Sequence, residues 1–296
     1  MSVTAEPVGD VTALLGEGPY WRAEDDCLLW VDIERGMLHM TRVDSGKTTS
    51  IELGKVSAVF PALGGGLLTA GGNRLTLRVA RSEEDWEGRT VAAAPARDGI
   101  RFNDGAVDPA GRVWVGSMDI AEAEPLGLLY RLDTGGTLTP VLKGVTISNG
   151  ISWSPDGSRM YYADSPTRRI DAFDYDPATG EAFRRRTFAD LSAVGGVPDG
   201  LTVDADGCVW VAMHSGGALL RLTPFGQQDA VLPLPVSRPT SCAFGGPGMT
   251  DLYVTTRSSE LTDAERASEP LAGRLLRLRP GPVGLPSTTV QAVIPS

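Results

Sequence analysis

Short apolar runs broken by turn-forming residues recur along the whole chain, too short for long helices and too regular for a mixed fold. A strand, a tight turn and a second strand are predicted at Trp21–Asp32, Ser57–Ala70, Asp104–Ser117, Asn149–Asp164, Asp199–His214 and Ser241–Thr256. Three of the turns share one chemistry: Asp108-Pro109-Ala110-Gly111, Ser154-Pro155-Asp156-Gly157 and Asp204-Ala205-Asp206-Gly207. Asp or Ser opens each, and Gly stands where a positive φ is required. The runs that follow, such as Val113-Trp114-Val115, Met160-Tyr161-Tyr162 and Val209-Trp210-Val211, have the aromatic and β-branched character of buried strands. Third strands are predicted at Met37–Val43, Arg74–Val79, Leu128–Asp133, Ile170–Tyr175, Ala218–Thr223 and Arg274–Arg279. Fourth strands are predicted at places such as Thr48–Leu53, Thr137–Leu142 and Ala230–Leu234.

Anchored on Trp30, Leu68, Trp114, Tyr161, Trp210 and Tyr253, the repeats are separated by 38, 46, 47, 49 and 43 residues. That period suits a four-stranded propeller blade. The expected fold is all-β: one six-bladed β-propeller domain over residues 1–296, four antiparallel strands per blade, with a metal site at its centre. Closure into a ring hides the strand edges that an open stack would expose. Two adjacent β-sandwiches are the alternative, against which stand the unbroken repeat and the absence of a linker. Ser82–Arg97 reads as a long polar connection, and Leu261–Ala267 as a short surface helix with Thr262 and Glu265 at capping-box spacing. Either Val3–Val8 or Thr288–Ile294 closes the ring.

Composition narrows the partners. Of the residues 42% are hydrophobic and 22% charged, and the net charge is −10, which argues against nucleic acid or an anionic membrane as the main partner. No apolar run approaches the roughly 18 residues of a membrane span, and no secretory signal is visible, so a cytoplasmic protein is expected. Cys27, Cys208 and Cys242 are widely spaced and read as reduced.

In a propeller the inner strands begin at one mouth of the central channel. Aligning the repeats puts Glu17, Ser57, Asp104, Asn149, Asp199 and Ser241 there, four of them followed by Gly that lets the backbone approach the axis. Converging carboxylates are unfavourable without a compensating cation or a shared proton. All-oxygen donors suit one hard divalent cation, whose identity (Ca, Zn, Mn or Fe(II)) such donors leave open. A water-filled polar channel that binds nothing is the alternative. Antiparallel return strands bring Asp32, Asp119, Asp164, His214 and Arg257 to the same mouth, where Arg101 and Asn103 overhang it. Asp32 and Asp164 read as turn and cap residues. His214 reads as a rim or packing residue sooner than as a base, and Asp119 either as a substrate contact or as a solvated loop acid.

These residues resemble the gluconolactonase/regucalcin (senescence marker protein) family of six-bladed propeller lactonases. The resemblance runs from Leu15-Gly16-Glu17-Gly18-Pro19 through Arg101-Phe102-Asn103-Asp104-Gly105, Ser148-Asn149-Gly150 and Pro198-Asp199-Gly200 to Arg238-Pro239-Thr240-Ser241, one motif to a blade. It implies metal ligation by Glu17, Asn149 and Asp199, with Asp199 also the catalytic base, and substrate contact by Arg101 and Asn103. It uses Asn103 where the repeat alignment favours Asp104, which with His214 is then placed just outside the ligands. Some relatives carry a substrate-binding Glu after the Gly-Thr-Met stretch; here Gly116-Ser117-Met118-Asp119-Ile120-Ala121 has none, and Asp119 is its stand-in. The implied reaction is hydrolysis of a sugar lactone, a small-molecule partner, to the aldonic acid. A cation-binding regulatory propeller without enzymatic activity, or an esterase or phosphotriesterase at the same site, are the alternatives. Oligomeric state stays open.

Overall fold

The computed structural model describes residues 4–82 and 85–291. Among the described residues, 24 strands form six four-stranded antiparallel sheets. The first five blades are built in chain order from consecutive strands, their inner strands being Gly16–Arg22, Ala58–Ala62, Ile100–Val107, Ser148–Trp153 and Val197–Val203. The sixth combines Pro239–Gly245, Asp251–Thr256 and Leu275–Leu278 with the N-terminal strand Glu6–Val8, which pairs antiparallel to Leu275–Arg277. The N-terminal segment therefore closes the ring, although its Val3 lies outside the described residues.

The C-terminal segment has another place. Gly284 bridges Asp204 of the fifth blade and Val290 bridges Ala62 of the second. These blades are opposite one another in a ring of six, so residues 285–288 cross the axis at the mouth remote from the strand starts. Residues 292–294, the rest of that candidate closing segment, lie outside the described residues.

Burial follows position within the blade. Second strands are packed on both faces: Cys27–Asp32, Val113–Asp119 and Asp251–Thr256 are buried throughout. Their aromatic residues, Trp30, Trp114, Trp210, Tyr161 and Tyr253, are among the largest fully buried side chains. Fourth strands face water on most positions, as in Trp86–Ala93. That strand corrects the reading of Ser82–Arg97 as a connection, because an outermost strand needs no apolar alternation. The expected helix is Asp263–Ser268, with Thr262 and Glu265 forming the capping box. No helix among the described residues is long and apolar enough to cross a membrane.

The repeated turn is held by its acid. Asp204, fully buried, accepts backbone N–H bonds from Asp206 (3.0 Å) and Cys208 (2.9 Å), the Trp210 indole N–H (2.9 Å) and Arg221 (Nε 2.9 Å, Nη2 2.7 Å). Asp108 repeats the arrangement with Ala110, Arg112 and Trp114. Gly111, Gly157 and Gly207 have φ of 82°, 68° and 81°, as the turn demands. Asp204→Ala strips the Trp210 and Arg221 donors of a buried acceptor, and is expected to destabilise the fold by about 3 kcal/mol or more. Urea unfolding measures that loss; a shift below about 1 kcal/mol would show that the blade turns do not depend on the acid.

Candidate active site

A recurring irregularity aims the site. Pairing between inner and second strands slips after Glu17, Phe102, Ser148 and Pro198, while the second blade pairs without a break. Such bulges bend a strand and turn side chains out of the sheet alternation. The unpaired residues are Gly18-Pro19, Asn103-Asp104, Asn149-Gly150 and Asp199-Gly200. Structural equivalence thus joins Asn103 to Asn149 and Asp199, and Asp104 to Gly150 and Gly200. Alignment on the following Gly shifts the first and third blades by one residue each: Glu17 is still paired, with Val31, and Gly105 lies past the bulge.

The glycines approach a neighbour, where the sequence had suggested the axis. A Cβ on Gly200 would lie 2.0 Å from Ser241 Oγ, and one on Gly150 would lie 2.7 Å from the Asp199 carbonyl oxygen. They let adjacent inner strands close to the distance at which their bulged residues meet.

Around the mouth is a cavity of about 110 Å³ lined by Glu17, Arg101, Asn103, Asn149, Asp199, His214 and Arg257, with Glu122, Ser165 and others. Glu17, Asn103, Asn149 and Asp199 are buried. Asn149 donates Nδ2 to Ser165 Oγ (2.8 Å), so its amide oxygen is the atom presented towards Asn103, whose Nδ2 it accepts at 2.8 Å. Asn103 Nδ2 also reaches the Ser148 carbonyl oxygen (2.9 Å), and its own oxygen accepts Arg101 Nη1 at 2.7 Å. Glu17 Oε2 accepts the Gly18 N–H at 3.1 Å. Asp199 Oδ1 is buried and has no hydrogen-bond partner.

The side chains of the site are electrostatically opposed to one another. Burial and then the neighbouring Asp104 charge push the Glu17 carboxyl up to about 8. Burial, Glu17 and Asp104 hold Asp199 well above the ordinary carboxylate range. Burial pushes Asp104 to about 6. His214 is held down to about 4 by burial and by Arg257 and Arg238, so it is neutral near pH 7, with Nδ1 3.1 Å from Ser215 Oγ. Among the described residues no three acid, His or Cys side chains group as a metal cage by themselves. Two carboxylates with the Asn149 amide do fit a hard divalent cation, and the orphaned Asp199 Oδ1 is the atom such an ion would satisfy.

Other expected positions fall elsewhere. Asp104 lines the channel beneath the site, a space of about 320 Å³ that also meets Ser241 and residues 285–288. Asp119 accepts the backbone N–H groups of Ala121 (3.1 Å), Ala123 (3.4 Å) and Glu124 (3.2 Å) and does not line the cavity. It organises its loop. Glu122 lines the cavity instead, on left-handed backbone (φ 57°) that an ordinary residue rarely adopts and spacing does not reveal. Asp32 and Asp164 hold loop N–H groups, as turn residues should: Asp32 those of Leu14 and Leu15, Asp164 those of Thr146 and Ile147.

Residues 15–258 match the SMP-30/Gluconolactonase/LRE-like region. This chain belongs to that family. It is 34% identical over 289 residues to a pentonolactonase, XacC, of Haloferax volcanii, covering 96% of this chain and 97% of that one. It is 33% identical to regucalcin of Xenopus laevis, covering 94% of each. Among solved structures, a calcium-binding protein, regucalcin, from Agrobacterium tumefaciens superposes with a TM-score of 0.93 at 27% identity, covering 98% of both chains. The six blades are thus the family's frame.

Proposed function

We propose that this protein is a lactonase that hydrolyses a sugar lactone to the aldonic acid, with a divalent cation held by Glu17, Asn149 and Asp199. The observation that carries the reading is the buried donor set, with its unpartnered Asp199 Oδ1, beside the Arg101–Asn103 pair. Names among its relatives, pentonolactonase foremost, support the substrate class. When bound, the cation supplies a Lewis acid for the lactone carbonyl and acidifies water.

The remaining chemistry falls to the chain. Asp199 takes the proton of the attacking water on the carboxylate oxygen that the cation leaves free, and returns it to the ring oxygen as the C–O bond breaks. Arg101 binds Asn103 through Nη1 and keeps its other donors for the ring hydroxyls. Asn103 is pinned on two sides, which fixes the pose it offers; an error of about 1 Å in such a pose can cost roughly a hundredfold in rate. The serine that meets His214 is Ser215, which does not line the cavity, so the pair offers the substrate no nucleophile.

A regulatory cation-binding propeller is favoured by the calcium-binding regucalcin neighbour. Cation storage gives no reason for an arginine and an amide beside the ion. The test is acid release from a panel of aldonolactones, aryl esters and phosphotriesters, with and without chelator. Chelator-sensitive turnover confined to sugar lactones is expected; cation binding without turnover of any lactone would overturn the proposal.

A further inference from the structure

A second arginine at the mouth has no part in the reaction as derived. Arg257 follows the second strand of the sixth blade and lines the same 110 Å³ cavity as Arg101, which lies in the inner strand of the third. Third and sixth blades are opposite in a ring of six, whereas the proposed cation donors come from the first, fourth and fifth. The two guanidinium groups therefore flank the donor set from opposite walls.

They are held differently. Arg101 makes no ion pair among the described residues; its Nη1 bonds go to the Phe102 carbonyl oxygen and to Asn103. Arg257 is locked. Its Nε donates to Ser259 Oγ (2.7 Å), and its Nη2 meets Glu260 (2.6 Å) and Glu34 (3.0 Å). Ser259 Oγ in turn donates to Glu34 at 2.7 Å, and Arg238 lies 3.5 Å from Glu260. Only 14% of the Arg257 side chain is exposed, and its Nη1 makes no hydrogen bond among the described residues.

Two arginines and two glutamates leave this cluster electrically balanced. A lone buried guanidinium selects phosphate or carboxylate, which it binds with charge-assisted paired bonds. One whose charge is already met by two carboxylates keeps the direction of its free N–H but loses that preference. Glu34 and Glu260 stand behind Arg257, outside the cavity lining, and offset the attraction its guanidinium would otherwise have for a ligand anion, an element of the kind that confers specificity.

We infer that Arg257 is a specificity-determining residue, donating Nη1 to a hydroxyl on the end of the substrate remote from Arg101, and that Glu34 and Glu260 restrict that end to a neutral polyol. That end of the site is then closed to a terminal phosphate or carboxylate. This inference rests on the lactonase reading.

The test uses the full chain, saturated with the activating cation, and follows acid release from glucono-1,5-lactone and from its 6-phosphate. Arg257→Gln is expected to raise KM for the neutral lactone about tenfold with kcat within about twofold, the pattern of lost uniform binding. Glu34→Gln is expected to raise kcat/KM for the phosphorylated lactone relative to the neutral one by about tenfold, since the cluster of Arg238 and Arg257 is then balanced by Glu260 alone and turns a net positive charge towards the phosphate. An unchanged KM in the first variant, or an unchanged ratio in the second, overturns the inference. If Arg257→Gln does not fold, the Glu34→Gln ratio decides alone. A wild-type protein that hydrolyses no lactone of the aldonolactone panel overturns the lactonase reading and this inference with it, whereas active wild type with unaltered variants overturns this inference only.

Discussion

Asp199→Asn is expected to lower kcat for lactone hydrolysis by on the order of 10³-fold or more, while the protein stays folded. The change keeps the volume of the side chain and removes its charge and its basicity together. Asn has no oxygen able to take a proton from water near neutral pH, and one fewer charge holds the cation. The same change should stabilise the cation-free protein at pH 8. Glu17, Asp104 and Asp199 are all buried, and the charges of the first two bear on the third, so removing one relieves the others. Loss of function with a higher Tm of the stripped form is thus the expected signature. Steady-state kinetics and a melting curve read it. A variant with more than about a tenth of the wild-type kcat would remove Asp199 from the role of base, because such a role contributes roughly 10²–10⁴-fold.

What could be read from the chain, and what could not, follows from how each residue is buried. Inner and second strands are covered by neighbouring blades, so their apolar runs and Asp-to-Gly turns stand out at a fixed period, and with them Glu17, Asn149 and Asp199. Outer strands such as Trp86–Ala93 are solvated, leaving no alternation to find. The closing strand Glu6–Val8 has one buried residue, too few to distinguish it from the C-terminal segment. Asn103 and Asp104 exchanged places because a bulge adds a residue without leaving a mark in composition. Glu122 enters the cavity through a positive φ, and Asp119 leaves it because three N–H groups of its own loop claim its carboxylate. Local geometry decides these cases, and periodicity carries no trace of it.

Stripping the cation should make stability fall as pH rises from about 4 to about 8. Glu17 moves from an ordinary 4.5 to about 8 in the folded, cation-free site, and Asp104 from 3.8 to about 6. An acid whose folded value is raised binds more protons folded than unfolded. Its favourable contribution is complete below the unfolded value and is lost as pH climbs through the folded one. The loss therefore runs through about 6 for Asp104 and about 8 for Glu17, with Asp199 shifted in the same direction. A bound divalent cation reverses the sign, since it favours the charged carboxylates and is displaced when they protonate. The gap in Tm between loaded and stripped protein should accordingly be small near pH 5 and widen to on the order of 5–10 °C near pH 8, for a cost of several kcal/mol. Calorimetry of both forms across that range measures it. A gap that stays constant with pH would mean that Glu17 and Asp199 do not share a cation, and the Lewis acid would have to be sought elsewhere in the channel.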